Sequence, residues 1–387
     1  MNTSLAVGEL RSLCLAAFAA AGIPASVAET VVEALLDAEL DGISSHGLSR
    51  LPFYADQAMS GKVRANAVPV TTNPAPGVVL VDACNGFAFP AINAGLDAAF
   101  ARVAEQGICS LGVRRSHHCG VLGHFVAKIA AHGLIGLAFA NTPAAMAPWG
   151  GRRRVFGTNP LAFGCPRDCG EPVVIDLSLS VVARGKVMLA RQHGEKLPPG
   201  WALDVDGRET TDPDAALAGT MTPLGGAKGV ALAMMVEMLA ATLTGSSHAS
   251  EASSLFDAHG PPPNLGQFFL LIDPKPFNPA FLSRVEALCN DVLSQENTRL
   301  PGMRRQQERR ARLRAGLSIP VGLLAELRRR ADASSPGKGF PEHEQGDEQA
   351  RAQCVHRVDA EQSVQAVCQQ RAKGRAHIRQ QGIGHEQ

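Results

Sequence analysis

The chain has almost no net charge. Its 37 basic and 36 acidic side chains leave a formal charge of +1, so no global field favours nucleic acid or an anionic membrane over other partners. No apolar run approaches the roughly 18 residues that a membrane-spanning helix needs. No C-x-x-C pair occurs, and the nine cysteines are an odd, scattered set. This argues against a disulfide scaffold and for a reducing compartment, with the cytoplasm as the expectation. The ordinary dinucleotide fingerprint, G-x-G-x-x-G after a strand, is absent. Gly225-Gly226-Ala227-Lys228-Gly229 resembles a phosphate loop but lacks its spacing. Neither H-E-x-x-H nor G-x-S-x-G occurs, which speaks against zinc-peptidase and serine-hydrolase chemistry.

What is present is a chain of 387 residues, 45% hydrophobic, long enough for a sizeable core in two or three domains at about 150 residues each. Residues 333–387 differ from the rest: they contain no Leu, Met, Trp, Tyr, Thr or Asn, a single Phe, ten Gln and four of the twelve His. So little large apolar surface cannot offset the entropy of ordering. The folded body is therefore expected to end near residue 331, followed by a disordered or non-native tail.

Residues 13–21 are apolar, follow Arg11, and imitate the core of a signal peptide. The same pattern continues past Gly22 and Pro24 into residues 26–40, where apolar positions recur every three or four residues opposite Glu29, Glu33 and Asp37. That periodicity predicts two helices. A turn-rich connection is expected over 61–76, a strand over 78–81, a helix over 91–106 with Pro90 at its start, and a strand over 108–113. A helix over 120–131 and strands over 134–140 and 172–177 continue the rhythm. Beyond them come an apolar helix over 226–243, a strand over 268–272, helices over 279–293 and 301–315, and a short strand and amphipathic turn ending near 331. The alternation predicts an α/β fold with a mixed or parallel sheet covered by helices. The stripe Arg304, Arg305, Arg309, Arg310 and Arg312 is expected to be a solvated face.

Ser44-Ser45-His46-Gly47-Leu48-Ser49-Arg50 is the first dense polar cluster. If helical, it puts His46 and Arg50 on one face, an imidazole for proton transfer beside a guanidinium able to grip a carboxylate, with a neighbouring serine to orient the imidazole. The bland alternative is a serine cap with a surface His and Arg. In Ser116-His117-His118-Cys119-Gly120-Val121-Leu122-Gly123-His124, a strand-to-helix junction offers free N–H groups and a positive helix end to a pyrophosphate. Zinc ligation there has the ligand types without a standard spacing, and glycines used for tight packing are the other alternative. Arg152-Arg153-Arg154 either faces solvent or meets a phosphate. Gly157-Thr158-Asn159-Pro160 reads as a turn. Asp176-Leu177-Ser178 ends a strand and leads toward Arg184-Gly185-Lys186, as a ligand contact or a cap. Cys165 and Cys169 read as ordinary thiols, and no Cys–His couple stands out as a nucleophile.

Taken in order, Asp41 to Arg50, Ser116-His117-His118, Gly157-Thr158-Asn159-Pro160 and Arg299-Leu300-Pro301-Gly302 resemble the malate/L-lactate dehydrogenase family that lacks a Rossmann domain, across about residues 1–331. Within it, residues 81–88, the Ser-His-His triplet and Met234-Met235-Val236-Glu237 are most similar to the Δ1-piperideine-2-carboxylate/Δ1-pyrroline-2-carboxylate reductases. The resemblance implies a non-Rossmann, mixed-sheet NAD(P)-binding domain over 76–279 and a helix-rich α/β substrate and dimer domain from 1–75 with 280–331. It implies reduction of cyclic α-imino acids with NADPH by a homodimer, NADP(H) ahead of NAD(H), and no metal. A malate/L-lactate-type 2-hydroxy-acid dehydrogenase is the alternative, and an inactive ligand-binding or assembly protein the alternative of another class.

By the same resemblance His46 is the proton donor, Ser45 its relay partner, Arg50 the clamp on the substrate carboxylate and Thr158 a further substrate contact. The implied cofactor contacts are His118, Cys119, Gly120, Val121, Leu122, Asp176, Leu177, Ser178, Arg184, Gly185, Lys228, Arg299, Leu300, Pro301, Gly302, Met303, Arg304 and Arg305. Lys186 takes the catalytic relay position where the imine reductases carry an aspartate. An ammonium there would lower the pKa of His46, whereas a carboxylate would raise it. The segment after 331 has no counterpart in the family and is expected to arise from a shifted reading frame or altered stop.

Overall fold

Short, mostly apolar strands build the centre of the molecule, and the direction in which each runs decides where the site lies. The computed structural model describes residues 2–333; the segment read as a tail lies, from residue 334 on, outside the described residues. The strands are β1 (Asn2–Leu5), β2 (Val70–Ala75), β3 (Val78–Asp82), β4 (Ile108–Ser116), β5 (Ile135–Ala140), β6 (Leu161–Cys165) and β7 (Val173–Leu177). They continue with the two-residue β8 (Ala202–Leu203), β9 (Glu209–Thr210) and β10 (Thr220–Met221), then β11 (Leu265–Ile272) and β12 (Leu317–Pro320). The helices are α1 (Val7–Ala20), α2 (Ala25–Leu40), α3 (Leu51–Met59), α4 (Ala88–Gln106), α5 (Leu122–Ala131), α6 (Arg184–His193), α7 (Pro213–Ala218) and α8 (Ala227–Glu237), followed by α9 (Phe281–Leu293), α10 (Met303–Ala315) and α11 (Val321–Asp332). No helix of the described residues is long and apolar enough to cross a membrane.

The main sheet has seven strands in the order β2-β3-β4-β11-β5-β6-β7. Only β3 and β4, joined through α4, are parallel neighbours; every other pair is antiparallel. The predicted mixed sheet is therefore what forms. Pairing of β11 with both β4 and β5, and of β6 with both β5 and β7, makes β4, β5 and β7 point the same way. Their carboxyl ends share one edge of the sheet with the amino ends of β6 and β11. That edge is where the polar motifs gather.

Successive side chains of a strand face opposite sides, and β11 shows what each side packs against. Phe269 and Leu271 join a core with Leu111, Val81 and residues of α1, α2, α4 and α5. Phe268 instead joins Phe139, Val236 and Ala240 under α8 and the π-helical turn that continues it.

Two expectations change. The stretch 61–76 is not wholly turn: β2 forms within it despite Pro74, because it is the outermost strand and its register shifts between Thr72 and Ala75, where a missing N–H is tolerated. The arginine stripe of α10 is a solvated face only in part: Arg304 and Arg310 are exposed, and the other three are engaged. Arg305 pairs with Asp176 at 2.9 Å, Arg309 with Asp37 and Asp41 at 2.6 Å, and Arg312 donates to the Glu39 carbonyl at 2.7 Å. These bonds fasten α10 to α2 and β7.

Candidate active site

The segment after α2 is not one helical face. Two 3₁₀ turns, Ser44–His46 and Leu48–Arg50, flank an extended Gly47, so the predicted four-residue helical relation between His46 and Arg50 does not hold. Glu39 sets this shape. Its buried carboxylate accepts from Ser44 Oγ at 2.7 Å and from Leu48 N at 2.9 Å, and a Cβ on Gly47 would lie 2.4 Å from Glu39 Oε1. The result brings Ser45 Oγ to 3.0 Å from His46 Nδ1. Arg50 Nε donates to the Ser45 carbonyl at 2.8 Å. Its guanidinium lies 4.6 Å over the ring of Phe256, and its buried Nη1 has no hydrogen-bond partner.

Three histidines meet behind this loop. The rings of His46 and His118 are 5.4 Å apart. Tyr54, the only tyrosine of the chain, is buried, and its hydroxyl, kept protonated by a pKa that burial raises, shares a hydrogen bond of 2.6 Å with His118 Nδ1. His117 Nε2 donates to Gln57 Oε1 at 2.8 Å. Each bond uses one ring nitrogen and so fixes the orientation of its imidazole, while His117 Nδ1 is buried without a partner; among the described residues no group of three or more His, Cys, Asp or Glu side chains is placed to hold a metal ion. Burial, with the charge of Arg50 beside it, pushes His46 down to about 3. Burial, with Lys62 and Arg50, does the same to His117, and burial lowers His118 strongly. Cys119 is pushed up to about 12 by burial and stays a thiol.

Imidazoles held neutral in the folded state make the protein acid-sensitive. Their folded pKa values lie below the usual 6.5, so the unfolded chain takes up protons that the folded chain refuses. Stability is complete above about pH 6.5 and is lost as pH falls toward 3, by about 1.4 kcal/mol per pH unit for each buried imidazole. The expected result is a urea midpoint that falls from pH 7 to pH 5, with a slope shallower by one proton in His117→Gln. An unchanged slope in that variant would contradict it.

A cavity of about 1000 Å³ opens at the shared sheet edge. Of the residues singled out in the sequence, it is lined by Ser45, His46, Arg50, His118 to Leu122, Thr158, Asp176 to Ser178, Arg184 to Lys186 and Arg305. Arg154 of the triple arginine lines it too, and it also collects Asn141, Thr142, Arg191 and Phe256. Six basic side chains line it against one carboxylate, Asp176, and Arg305 already pairs with that one. This ion pair, not a cap, is the role Asp176 shows. It rests on the first turn of α5, where a Cβ on Gly123 would be 2.9 Å from Asp176 Oδ2.

Arg154 donates to the carbonyls of Leu217, Ala218 and Gly219 at the end of α7, which resolves the open reading of the triple arginine for this member. Burial and the charge of Arg154 lower the pKa of Arg184. The amino ends of α5 and α6 open on the same cavity, and no side chain caps either. Two uncapped helix starts beside Arg50, Arg154, Arg184 and Lys186, which have no carboxylate partner among the described residues, fit a polyanionic dinucleotide.

Lys228 is exposed and outside this lining. Arg299, Leu300, Pro301, Gly302 and Arg304 line a second cavity of about 560 Å³, which shares Arg305 with the first. Met303 lines neither of the two. Glu39, Tyr54, Gln57, Lys62 and Phe256 carried no local signal in the sequence beyond ordinary helix and loop composition.

The sequence profile of the malate/L-lactate dehydrogenases matches residues 5–328. The chain belongs to the malate/L-lactate dehydrogenase family. It is accordingly an NAD(P)-dependent oxidoreductase. It is 50% identical over 328 residues, 85% of this chain and 98% of that protein, to a (2R)-3-sulfolactate dehydrogenase (NADP(+)) of Chromohalobacter salexigens. It is 38% identical over 327 residues, 84% and 96% of the two chains, to a Δ(1)-pyrroline-2-carboxylate reductase of Ancylobacter novellus. The crystal structure of Δ1-piperideine-2-carboxylate reductase from Pseudomonas syringae superposes with a TM-score of 0.79 at 37% identity, over 85% of this chain and 99% of that one.

Proposed function

We propose that this enzyme is an NADP-dependent dehydrogenase of a small 2-hydroxy acid that carries a second anionic group, of the sulfolactate kind. The carrying observation is the charge of the cavity: of its six basic side chains, Arg305 and Arg191 have carboxylate partners in Asp176 and Asp214, and Arg50, Arg154, Arg184 and Lys186 have none among the described residues. A dianionic acid and a phosphorylated cofactor both suit such a site, and an acidic relay partner for His46 is not among the lining residues. The 50% identical relative named for NADP(+) and sulfolactate supports the same choice.

In this reading residues 76–279 hold the cofactor, while 1–75 and 280–331 close the substrate end. The nicotinamide cofactor supplies the redox equivalents when bound, held along the amino ends of α5 and α6. Arg50 takes the substrate carboxylate on its Nη edge, and Thr158 contacts the acid from the turn before β6. His46, oriented by Ser45, takes the proton of the 2-hydroxyl during oxidation and returns it to the oxo oxygen during reduction. Lys186 and Arg184 face the second anion. The enzyme is taken to be a homodimer, for which the exposed Leu232, Met234 and Met235 of α8 and Met238 of the π-helical turn after it offer an apolar face.

Reduction of cyclic imino acids is the second reading, supported by relatives at 38% and 39% identity that carry the reductase names. NADPH oxidation measured with sulfopyruvate, oxaloacetate, pyruvate and Δ1-piperideine-2-carboxylate separates the two. The expected result is a kcat/KM for the dianionic oxo acids at least about tenfold above that for the others, from one further charge-assisted contact. Faster turnover of the cyclic imine would replace the first reading with the second.

A further inference from the structure

We propose that Phe256 is a positioning residue for recognition of the substrate carboxylate, and that Lys62 and Gln57 hold it in place. The inference deepens the reading of Arg50 as the carboxylate clamp and rests on it.

Arg50 is buried, and its guanidinium is constrained on three sides. Nε is bound to the Ser45 carbonyl at 2.8 Å, one face is covered by the Phe256 ring at 4.6 Å, and Nη1 is buried without a partner. A carboxylate pairs with two guanidinium nitrogens only when it lies in the guanidinium plane. A ring packed on one face fixes that plane and leaves the Nη edge as the approach. Cation–π attraction also holds the charge there while no substrate is present.

Phe256 itself lies in a segment with neither helix nor strand, so something must fix it. Lys62 is 2% exposed, and its ammonium donates to the carbonyls of Ser254 at 2.7 Å, Asp257 at 3.2 Å and His259 at 2.6 Å and to Asp257 Oδ1 at 3.1 Å. These acceptors bracket Phe256 from both sides. Gln57 Nε2 adds a bond to the Asp257 carbonyl at 2.9 Å, and Phe53 meets the Phe256 ring edge-on at 6.0 Å. A buried ammonium is costly unless its donors are satisfied; here one loop satisfies it. Arg50 just before α3, Phe53 and Gln57 on it and Lys62 in the turn after it follow one another in the chain, so a single stretch carries the clamp and grips the loop that orients it.

The test compares Phe256→Leu, which keeps bulk and loses the π face, with Phe256→Tyr, which keeps the ring. Steady-state kinetics of the purified enzyme are measured with the best acid of the panel and with NADPH. Phe256→Leu is expected to raise the KM for the acid about 5- to 10-fold, with kcat and the KM for NADPH within about twofold of the parent. Phe256→Tyr is expected to restore the KM, and Lys62→Met to give the same split with a larger rise. An unchanged KM for the acid in Phe256→Leu, or an equal rise for NADPH, overturns the proposal. Should Lys62→Met fail to fold, the Leu and Tyr pair decides. Arg50→Gln is measured alongside. If it raises the KM for the acid and Phe256→Leu does not, only the role of Phe256 falls; if it leaves the KM unchanged, the clamp and the role of Phe256 fall together.

Discussion

Exchange of His46 for alanine is expected to lower turnover by about 10² or more while the KM for NADP(H) stays within about twofold. The imidazole lies at the cavity with Nδ1 beside Ser45 Oγ at 3.0 Å, which leaves Nε2 for the substrate. Burial and the guanidinium of Arg50 push its pKa down to about 3, so at neutral pH the ring is already the base that oxidation of a hydroxyl requires. Reduction needs the opposite form. An acid whose carboxylate pairs with Arg50 cancels one of the charges that depress His46, so the proton is taken up together with the substrate. The kcat/KM for oxidation is therefore expected to stay flat from pH 8 down to where acid unfolding begins, while the rate of reduction falls as pH rises. Stopped-flow measurement in both directions checks this. A His46→Ala enzyme with unaltered turnover would remove the residue from the chemistry. Ser45→Ala is expected to be milder, about tenfold, since it loses orientation and not the base.

The parts of the fold that showed in the sequence are those whose evidence is local. Residues 91–106 and 226–243 carry enough apolar residues in helical register to announce α4 and α8, and 108–113 and 268–272 announce β4 and β11 by β-branched and aromatic runs. The rest depends on partners far away in the chain. β2 contains Pro74 and polar residues that argue against a strand, and it forms because β3 offers it an edge. The arginines of α10 look solvated when only their own helix is considered. Two of them, Arg305 and Arg309, find Asp176, Asp37 and Asp41, more than 120 residues away, and a charge pattern within one helix holds no information about those carboxylates.

The candidate site divides in the same way. Ser45, His46 and Arg50 stood out because three chemically able side chains fall within six residues, although the helix invoked to unite them is replaced by two 3₁₀ turns. The strand ends 116–122 and 176–178 were also visible, since polar residues and glycines interrupt apolar runs there. Glu39 was not, because one acidic residue at a helix end reads as surface, and its burial follows only from the turn that folds back over it. Lys62 and Phe256 are nearly 200 residues apart, and neither has meaning without the other. Lys228, by contrast, has its assignment only from the family resemblance and lies exposed outside the main cavity.

Glu237 shows what such distant bonds are worth, and Glu237→Ala is expected to destabilise the protein by about 3 kcal/mol or more. Its buried carboxylate accepts from Asn159 Nδ2 at 2.7 Å, Ala249 N at 2.6 Å and Asn141 Nδ2 at 3.4 Å. Asn159 sits at φ 35° in the turn that presents Thr158, Asn141 follows β5 and accepts from Gly266 N at 2.9 Å, and Ala249 begins the segment that leads to Phe256. Removal of the carboxylate leaves the Ala249 N–H without its acceptor and takes one from each of the two amides. Each buried donor stranded in this way costs about 1 to 3 kcal/mol. A fall in apparent melting temperature on the order of 5 °C or more follows for a chain of this size. Glu237→Gln keeps one acceptor oxygen and turns an NH2 toward the other donors, so its loss should fall between the parent and alanine. Because the turn at Thr158 and the loop at Phe256 share this one anchor, the KM for the acid should rise in the alanine variant before the protein melts. A melting temperature within a degree of the parent, with an unchanged KM, would mean that water replaces the carboxylate and that the two walls of the site are held by other bonds.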